Sequence, residues 1–201
     1  FVKGTNDWNQ FTLLEALLEQ RFERPRQEDS RPEPERHARE DEEGRLEKEL
    51  REAIDNDGLE LHYQPKIDLR TGRMIGVEAL LRWTHPQRGS ISPATLIPIA
   101  EETGLIKPLT LWVLNAALMQ GAEWRRAGID LKLAVNLSVW NIQDPTLIEQ
   151  VRTALVTWGV PASALELEIT ESAMMADPER ALAGLNGLAG PLHGLANQEV
   201  L

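Results

Sequence analysis

The 201-residue chain contains no cysteine, which excludes disulfide bonds and thiolate metal sites. Basic residues are in deficit: 21 Lys and Arg stand against 32 Asp and Glu, giving a formal net charge of -11. Without a basic face, no binding to duplex nucleic acid is expected, and an acidic chain acting on a phosphate would need metal ions to offset the repulsion. There is no apolar run long enough to cross a bilayer and no signal-peptide pattern. We therefore expect a soluble, cytoplasmic protein with no membrane segment in this chain.

Composition divides the chain into three segments. Residues 1–45 combine a short apolar helical pattern with a stretch rich in Arg, Glu, Asp and Pro, which buries too little apolar area to offset its ordering entropy. We expect this segment to be poorly ordered, as a linker or a charged helical lead-in, with an interaction tail as the alternative. Residues 46–190 have the periodicity of a folded domain. Residues 191–201 form a divergent tail.

Helical and strand patterns alternate through the predicted domain. Strands are predicted at 59–67, 74–83, 131–137 and 165–170. The first two flank the turn at Thr71 and Gly72, so they are expected to pair antiparallel. Helices are predicted at 93–102, at 108–127, from Asp144 to about Gly159 and at 178–188. This order is typical of an α/β protein with a largely parallel sheet.

Each predicted strand separates apolar from polar side chains, because successive side chains point to opposite faces of a sheet. In the strand at 75–82, the polar face carries Glu78 and Arg82. In the two strands that follow, the polar face carries Asn136 and Glu168. The polar residues of all three strands are therefore in phase.

An open sheet covered by helices on both faces would favour apolar residues on both. In a barrel the apolar face meets the helices, and polar residues near the carboxyl ends of the strands line the active-site mouth. Glu78, Asn136 and Glu168 fit that placement and offer hard oxygen ligands, which suit Mg²⁺ or Mn²⁺. Taken singly, each fits equally well as a solvent-exposed or capped polar group. The pattern alone leaves both interpretations open.

The order and spacing of several short stretches resemble the EAL domain family over about residues 46 to 190. The stretches are Leu61-His62-Tyr63-Gln64-Pro65, Glu78-Ala79-Leu80-Leu81-Arg82-Trp83, Ile97-Pro98-Ile99-Ala100-Glu101-Glu102-Thr103-Gly104, Val135-Asn136-Leu137-Ser138 and Glu168-Ile169-Thr170-Glu171-Ser172. That family has a modified (β/α)₈ barrel whose first strand is antiparallel to the others. The resemblance implies an incomplete TIM-like barrel with an antiparallel first strand, preceded by a charged linker.

The resemblance also implies a function in bacterial cyclic di-GMP signalling. It implies a metal-dependent phosphodiesterase that hydrolyses cyclic di-GMP to linear pGpG with two divalent ions, Mg²⁺ or Mn²⁺. A homodimer, or an upstream sensor or cyclase domain, is the implied partner. The implied roles are metal ligation by Glu78, Asn136 and Glu168, substrate binding by Gln64, Arg82 and Glu101, and support of the site by Glu171.

The resemblance fails after Gly190. The family continues with an Asp-Asp-Phe-Gly-Thr-Gly strand end, whereas residues 191–201 contain no Asp pair. We therefore expect an incomplete catalytic set and no activity of this polypeptide by itself. The alternative is a degenerate EAL module that binds nucleotide or a protein partner without hydrolysis. A barrel of four or five strands would also leave sheet edges unpaired, which predicts self-association.

Overall fold

A computed structural model describes residues 33–56 and 58–169 of the chain, with side chains from residue 41 onward. The chain divides into two compact units, Phe1–Glu42 and Glu43–Leu201. Of the first unit, only its helical residues 33–42 are described. The expected apolar helix near the N-terminus and the helix expected at 178–188 lie outside the described residues. The rest of the fold concerns the second unit.

The described residues form five α-helices and five β-strands, joined by turns and loops. The helices are α1 (Glu33–Asp55), α2 (Pro93–Glu102), α3 (Ile106–Arg126), α4 (Val139–Ile142) and α5 (Leu147–Trp158). The strands are β1 (Glu60–Ile67), β2 (Met74–His85), β3 (Gly89–Ile91), β4 (Lys132–Leu137) and β5 (Leu165–Ile169), with a 3₁₀ turn at Ala162–Ala164 before β5. Residues 33–45 belong to α1, and the division of the chain into a linker, a domain and a tail stays a prediction.

The strands form one mixed sheet in the order β1-β2-β4-β5. β1 is antiparallel to β2, whereas β4 is parallel to both β2 and β5. The hairpin turns at Gly72, which has a φ of 67° that other residues rarely adopt. The predicted antiparallel first strand and the parallel strands that follow are therefore present.

Two elements were not predicted from the sequence, and one helix begins later than predicted. β3 is a three-residue strand that pairs with the end of β2, and α4 is a single turn capped by Ser138, both too short for a periodic signal. α5 begins at Leu147 instead of Asp144. The reason is local: the Asp144 carboxylate accepts hydrogen bonds from the backbone N–H and the hydroxyl of Thr146, which closes a turn before the helix.

The main core lies between the sheet and the helices α3 and α5. Leu133 and Val135 of β4 are fully buried against Leu114 and Leu118 of α3. α3 approaches β4 closely at Gly121, where a Cβ would overlap the Cδ1 atom of Leu133. The apolar face of each strand thus meets the helices, as predicted, and the opposite face is left for polar residues.

A second core packs α1 against β2, α2 and α3. Leu50 of α1 packs in a buried cluster with Trp83 of β2, Leu96 of α2 and Leu109 of α3. Beside it, the Glu49 carboxylate lies 3.4 Å from the Nε2 atom of His85 and 3.2 Å from the Nε atom of Arg88. These contacts attach the second half of α1 to the β2–β3 hairpin.

We predict that Gly121→Ala destabilises the chain by about 1–3 kcal/mol, because the added methyl group overpacks the contact with Leu133. The matched control is Gly44→Ala in α1, where a Cβ has no atom within 4 Å. That change should stabilise the chain by roughly 0.5–1 kcal/mol, since alanine is the better helix former. Urea unfolding followed by circular dichroism measures both values. Equal effects at the two glycines would contradict the close α3–β4 packing.

We predict a pH-dependent stabilisation by Asp144, whose side chain is only 9% exposed and lies 2.9 Å from Lys107 Nζ. Hydrogen bonds from Thr146, then the contact with Lys107, hold the Asp144 pKa below its ordinary value. A lowered folded-state pKa stabilises above the unfolded pKa of about 3.9 and is lost as the pH falls through the folded value. Asp144→Asn should cost about 1 kcal/mol at pH 7, and the cost should shrink below about pH 4.

The control for this prediction is Asp130→Asn. Asp130 also forms an ion pair, with Arg125, but its side chain is 79% exposed. Its replacement should change the free energy of unfolding by less than about 0.5 kcal/mol at any pH. A cost at Asp144 that stays constant from pH 7 to pH 3 would be evidence against the carboxylate's ionic role.

Candidate metal and phosphate site

The structure brings Glu78, Asn136 and Glu168 together on the polar face of the sheet. Asn136 and Glu168 are register partners on the parallel strands β4 and β5, so their side chains point the same way. The Nδ2 atom of Asn136 donates a 2.6 Å hydrogen bond to Oε1 of Glu78 on β2. All three side chains are partly buried. The three oxygen-bearing residues therefore lie on neighbouring strands and on the face away from the helices.

The strand position expected for Glu78 needs a correction. Glu78 was expected near the carboxyl end of its strand, but β2 continues to His85, where it pairs with β3. The parallel pairing of β2 with β4 covers only residues 76–79. Glu78 therefore lies near the end of this pairing and in the middle of the strand, because the rest of β2 continues beyond β4.

The chemistry of this group of side chains suits a hard cation. Because the amide nitrogen of Asn136 bonds to Glu78, Asn136 can offer its amide oxygen to an ion. With the carboxylates of Glu78 and Glu168, this makes a set of oxygen donors of the kind that Mg²⁺ and Mn²⁺ prefer. Among the described residues, no group of three His, Cys, Asp or Glu side chains is arranged to hold a metal ion. The set on this face consists instead of two carboxylates and one amide, and it fits part of a metal site.

Two lysines contact the acidic residues of this face, and their role was not foreseen from the sequence. The Nζ atom of Lys66 on β1 donates to Oε1 of Glu168 and lies 3.6 Å from Oε2 of Glu166. The Nζ atom of Lys132 on β4 donates to Oε1 of Glu166 at 2.8 Å. The alternation of β1 does place Lys66 on the same face as Gln64. That pattern could have indicated its presence, but it does not identify Glu168 as its partner.

The network of lysines and glutamates shifts two pKa values. The hydrogen bond with Glu168 is the largest cause that raises the pKa of Lys66, and the smaller effect of burial opposes it. The hydrogen bond from Lys132 is the largest cause that lowers the pKa of Glu166. Both shifts favour the charged forms, so this face carries fixed positive and negative charges at neutral pH.

The two predicted phosphate-binding residues lie on the hairpin β1–β2. Gln64 is the register partner of Glu78, which puts the two side chains side by side on the polar face. Arg82 lies further along β2 opposite Glu60, and its Nη1 atom donates a 2.8 Å hydrogen bond to the carbonyl of Leu81. That bond orients the guanidinium group, which can bind phosphate oxygens in a planar, bidentate manner.

Glu101, at the end of α2, is held close to the end of β4 by Ser138. The Ser138 hydroxyl donates a 2.6 Å hydrogen bond to Oε1 of Glu101. Asn141 fixes this arrangement, since its Oδ1 atom accepts from the backbone N–H of Ser138 and from the hydroxyl of Thr110, both at 3.0 Å. The structure therefore links Glu101 to the residue two positions after Asn136. Glu171, predicted to support the site, lies outside the described residues.

The fold and this face define the class of protein: an α/β barrel-type domain with carboxylate and amide oxygens on one face of β2, β4 and β5. The EAL domain family model matches residues 47–190, and the chain belongs to the EAL domain family. Phosphodiesterases of this family are metal-dependent. In the described residues, no helix is both long and apolar enough to span a bilayer.

A curated relative and two solved structures illustrate this membership. The chain is 50% identical over 121 residues to "Cyclic di-GMP phosphodiesterase PA2567" of Pseudomonas aeruginosa, an alignment covering 60% of this chain and 21% of that protein. The structure "PaMucR Phosphodiesterase, c-di-GMP complex" is 44% identical with a TM-score of 0.65, covering 73% of this chain and 60% of that one. The FimX EAL domain of Xanthomonas citri in complex with c-diGMP is 31% identical with a TM-score of 0.66, covering 79% and 60%.

These similarities confirm the predicted incomplete TIM-like barrel. Its antiparallel first strand is shown by the pairing of β1 with β2. The chain spans about a fifth of the length of PA2567. The activity of that whole protein is therefore not assigned to this chain.

We predict that Asn136→Asp destabilises the chain at neutral pH. The new carboxylate would lie at hydrogen-bond distance from Glu78, so two like charges replace a hydrogen bond, at a cost of about 1–2 kcal/mol at pH 7. Mn²⁺ at millimolar concentration should reduce this cost, because an ion bound between the two carboxylates would offset their repulsion. Urea unfolding at pH 7, with and without Mn²⁺, measures both effects.

Gln143→Glu is the matched control, since it adds the same charge at an exposed position just after α4. Its free energy of unfolding should follow that of the parent chain with and without Mn²⁺. If Asn136→Asp behaves like Gln143→Glu, then Asn136 and Glu78 are not in contact in solution.

Proposed function

We propose that the chain carries cation- and phosphate-binding residues of a cytoplasmic cyclic di-GMP phosphodiesterase, which hydrolyses cyclic di-GMP to linear pGpG with Mg²⁺ or Mn²⁺. The observation that carries this proposal is the contact of Asn136 with Glu78 beside Glu168 on one polar face. Membership of the EAL family supports it, since relatives of this chain are named cyclic di-GMP phosphodiesterases.

Glu78, Asn136 and Glu168 are the proposed cation ligands. Their three oxygens come from adjacent strands that are held in register by the sheet, so little ordering is required when an ion binds. A bound divalent ion would supply charge neutralisation at the phosphodiester and a water of lowered pKa. The chain is acidic overall, with a formal net charge of -11, so the charge of the ion would also offset the repulsion of an anionic cyclic dinucleotide.

Gln64 and Arg82 are the proposed phosphate contacts. Gln64 lies next to Glu78 across the hairpin, so a phosphate bound near the cation comes within reach of its amide nitrogen. Arg82 adds a permanent positive charge with a planar fork that suits a phosphate group. Glu101, held by Ser138, is proposed to contact the substrate from the α2 side of the site.

The polypeptide alone is predicted to bind cyclic di-GMP without turning it over. The Asp pair that the family carries in this region is not found in residues 191–201. We expect no pGpG above the level of a Glu78→Ala control when the chain is incubated with cyclic di-GMP and Mn²⁺. Ion-pair chromatography measures the product. Turnover that depends on Glu78 would contradict the predicted inactivity, while leaving the proposed site intact.

Binding of the nucleotide tests the site itself. Isothermal titration calorimetry with Mn²⁺ should detect cyclic di-GMP binding, and Arg82→Ala should weaken it by roughly 10- to 100-fold through loss of charged hydrogen bonds. The exposed Arg70 of the hairpin turn offers a matched control, and Arg70→Ala should leave the affinity unchanged. The site assignment fails if the two arginine variants bind equally well.

The alternative function is a degenerate EAL module that binds nucleotide without hydrolysis, favoured by the composition of residues 191–201. The two functions differ in their need for a cation. A phosphodiesterase-type site should bind cyclic di-GMP only with the divalent ion present and should lose binding on Glu78→Ala. Binding that is independent of both Mn²⁺ and Glu78 would favour the alternative.

A further inference from the structure

Lys66 is in direct contact with Glu168, one of the proposed cation ligands. Its ammonium group hydrogen bonds to Glu168, a residue 102 positions away in the chain, and its side chain is only 29% exposed. β1 and β5 are not neighbours in the sheet, since β2 and β4 lie between them. The contact therefore bridges the polar face from one described edge strand to the other, and it ends on an oxygen that a bound cation would need.

Lys132 provides a natural comparison on the same face. It pairs with Glu166 at 2.8 Å, on the strand next to its own, and its side chain is 55% exposed. Glu166 also lies 3.6 Å from Lys66, so the two lysines share one glutamate. Of the two, only Lys66 has an ion pair with the proposed ligand Glu168 among the described residues.

Electrostatics gives the Lys66 contact a consequence for ion binding. A divalent ion at Glu168 would lie within a few ångströms of the ammonium group, and like charges at that separation repel strongly where the surroundings are partly buried. Either Lys66 moves away from the Glu168 oxygen or the ion binds with one fewer oxygen donor. Without the ion, the same lysine compensates the charge of Glu168 beside Glu166.

We propose that Lys66 is the counter-ion of Glu168 while the site is metal-free. Its ammonium group positions and neutralises the Glu168 carboxylate. It also competes with the divalent ion for the same carboxylate oxygen. This inference rests on the proposed function, because it takes Glu168 as a cation ligand. Lys66 is thus a positioning residue that sets the concentration of metal at which the site fills.

The test compares Mn²⁺ affinity among charge variants of the purified chain. Lys66→Met keeps the length and apolar stem of the side chain but removes the competing charge. It should tighten Mn²⁺ binding by about three- to fivefold, the upper end of the range expected for loss of a partly exposed ion pair. Lys66→Gln, which keeps a hydrogen-bond donor, should give a smaller gain. Manganese electron paramagnetic resonance measures the free and bound ion directly, without need for catalytic turnover.

Lys132→Met is the matched control because it removes the same charge from the same face without touching Glu168. Its Mn²⁺ affinity should stay within about twofold of the parent chain. If Lys132→Met tightens binding as much as Lys66→Met, the effect is one of overall charge, and the competition at Glu168 is refuted.

A second measurement detects the ion pair without metal. Unfolding of Lys66→Met, Glu168→Gln and the double variant in metal-free buffer gives the coupling between the two residues. Coupling is expected in the metal-free chain and should fall when Mn²⁺ saturates the site. Absence of coupling in metal-free buffer would overturn the inference, even if the variants bind Mn²⁺ differently.

The outcomes separate this inference from the proposed function. One outcome is that the parent chain binds Mn²⁺, that Glu78→Ala abolishes this binding and that Lys66→Met leaves the affinity unchanged. This outcome supports the proposed cation site and refutes the proposed role of Lys66. The other outcome is that neither the parent chain nor any variant binds Mn²⁺ while Lys66 and Glu168 remain coupled. This outcome refutes the cation site, and the ion pair then has a purely structural role.

Discussion

The parallel register of β2, β4 and β5 is the constraint on which the candidate site depends. Pairing sets Asn136 beside Glu168, and the hydrogen bond from Asn136 to Glu78 joins the third strand to them. A shift of one residue in either strand pair would turn these side chains toward the helices. The fully buried Leu133 and Val135 resist such a shift, since their side chains would leave the main core. Packing on one face of the sheet thus fixes the chemistry of the other.

Ion pairs between lysines and glutamates are the second feature that shapes the polar face of the sheet. The chain is acidic overall, yet Lys66 and Lys132 are inserted among the glutamates of β5. The resulting chain of alternating charges neutralises Glu166 and Glu168 where no ion is bound. An acidic cluster without such partners would repel itself and favour either proton uptake or a tightly held cation. Under the proposed function, the lysine partners would give a site that is stable when empty and that an ion can still enter.

Several features of the fold and the site were predictable because they depend on local pattern. The antiparallel hairpin follows from two alternating stretches around Gly72, and the shared face of Glu78, Asn136 and Glu168 follows from strand periodicity. α2 was predicted with its bounds, from Ser92 and Pro93 at its start. β3 and α4 were missed because three or four residues carry no periodic signal. The role expected of Glu171 stays a prediction.

The sequence by itself determined which side chains share a face, since alternation along a strand is set by the backbone of that strand alone. It also determined the family, through short motifs in a common order. Only the tertiary structure decided that Lys66 meets Glu168 and that Ser138 holds Glu101. These contacts depend on how far the sheet curves and where α2 packs, and both arise from the summed packing of residues that are distant in the chain.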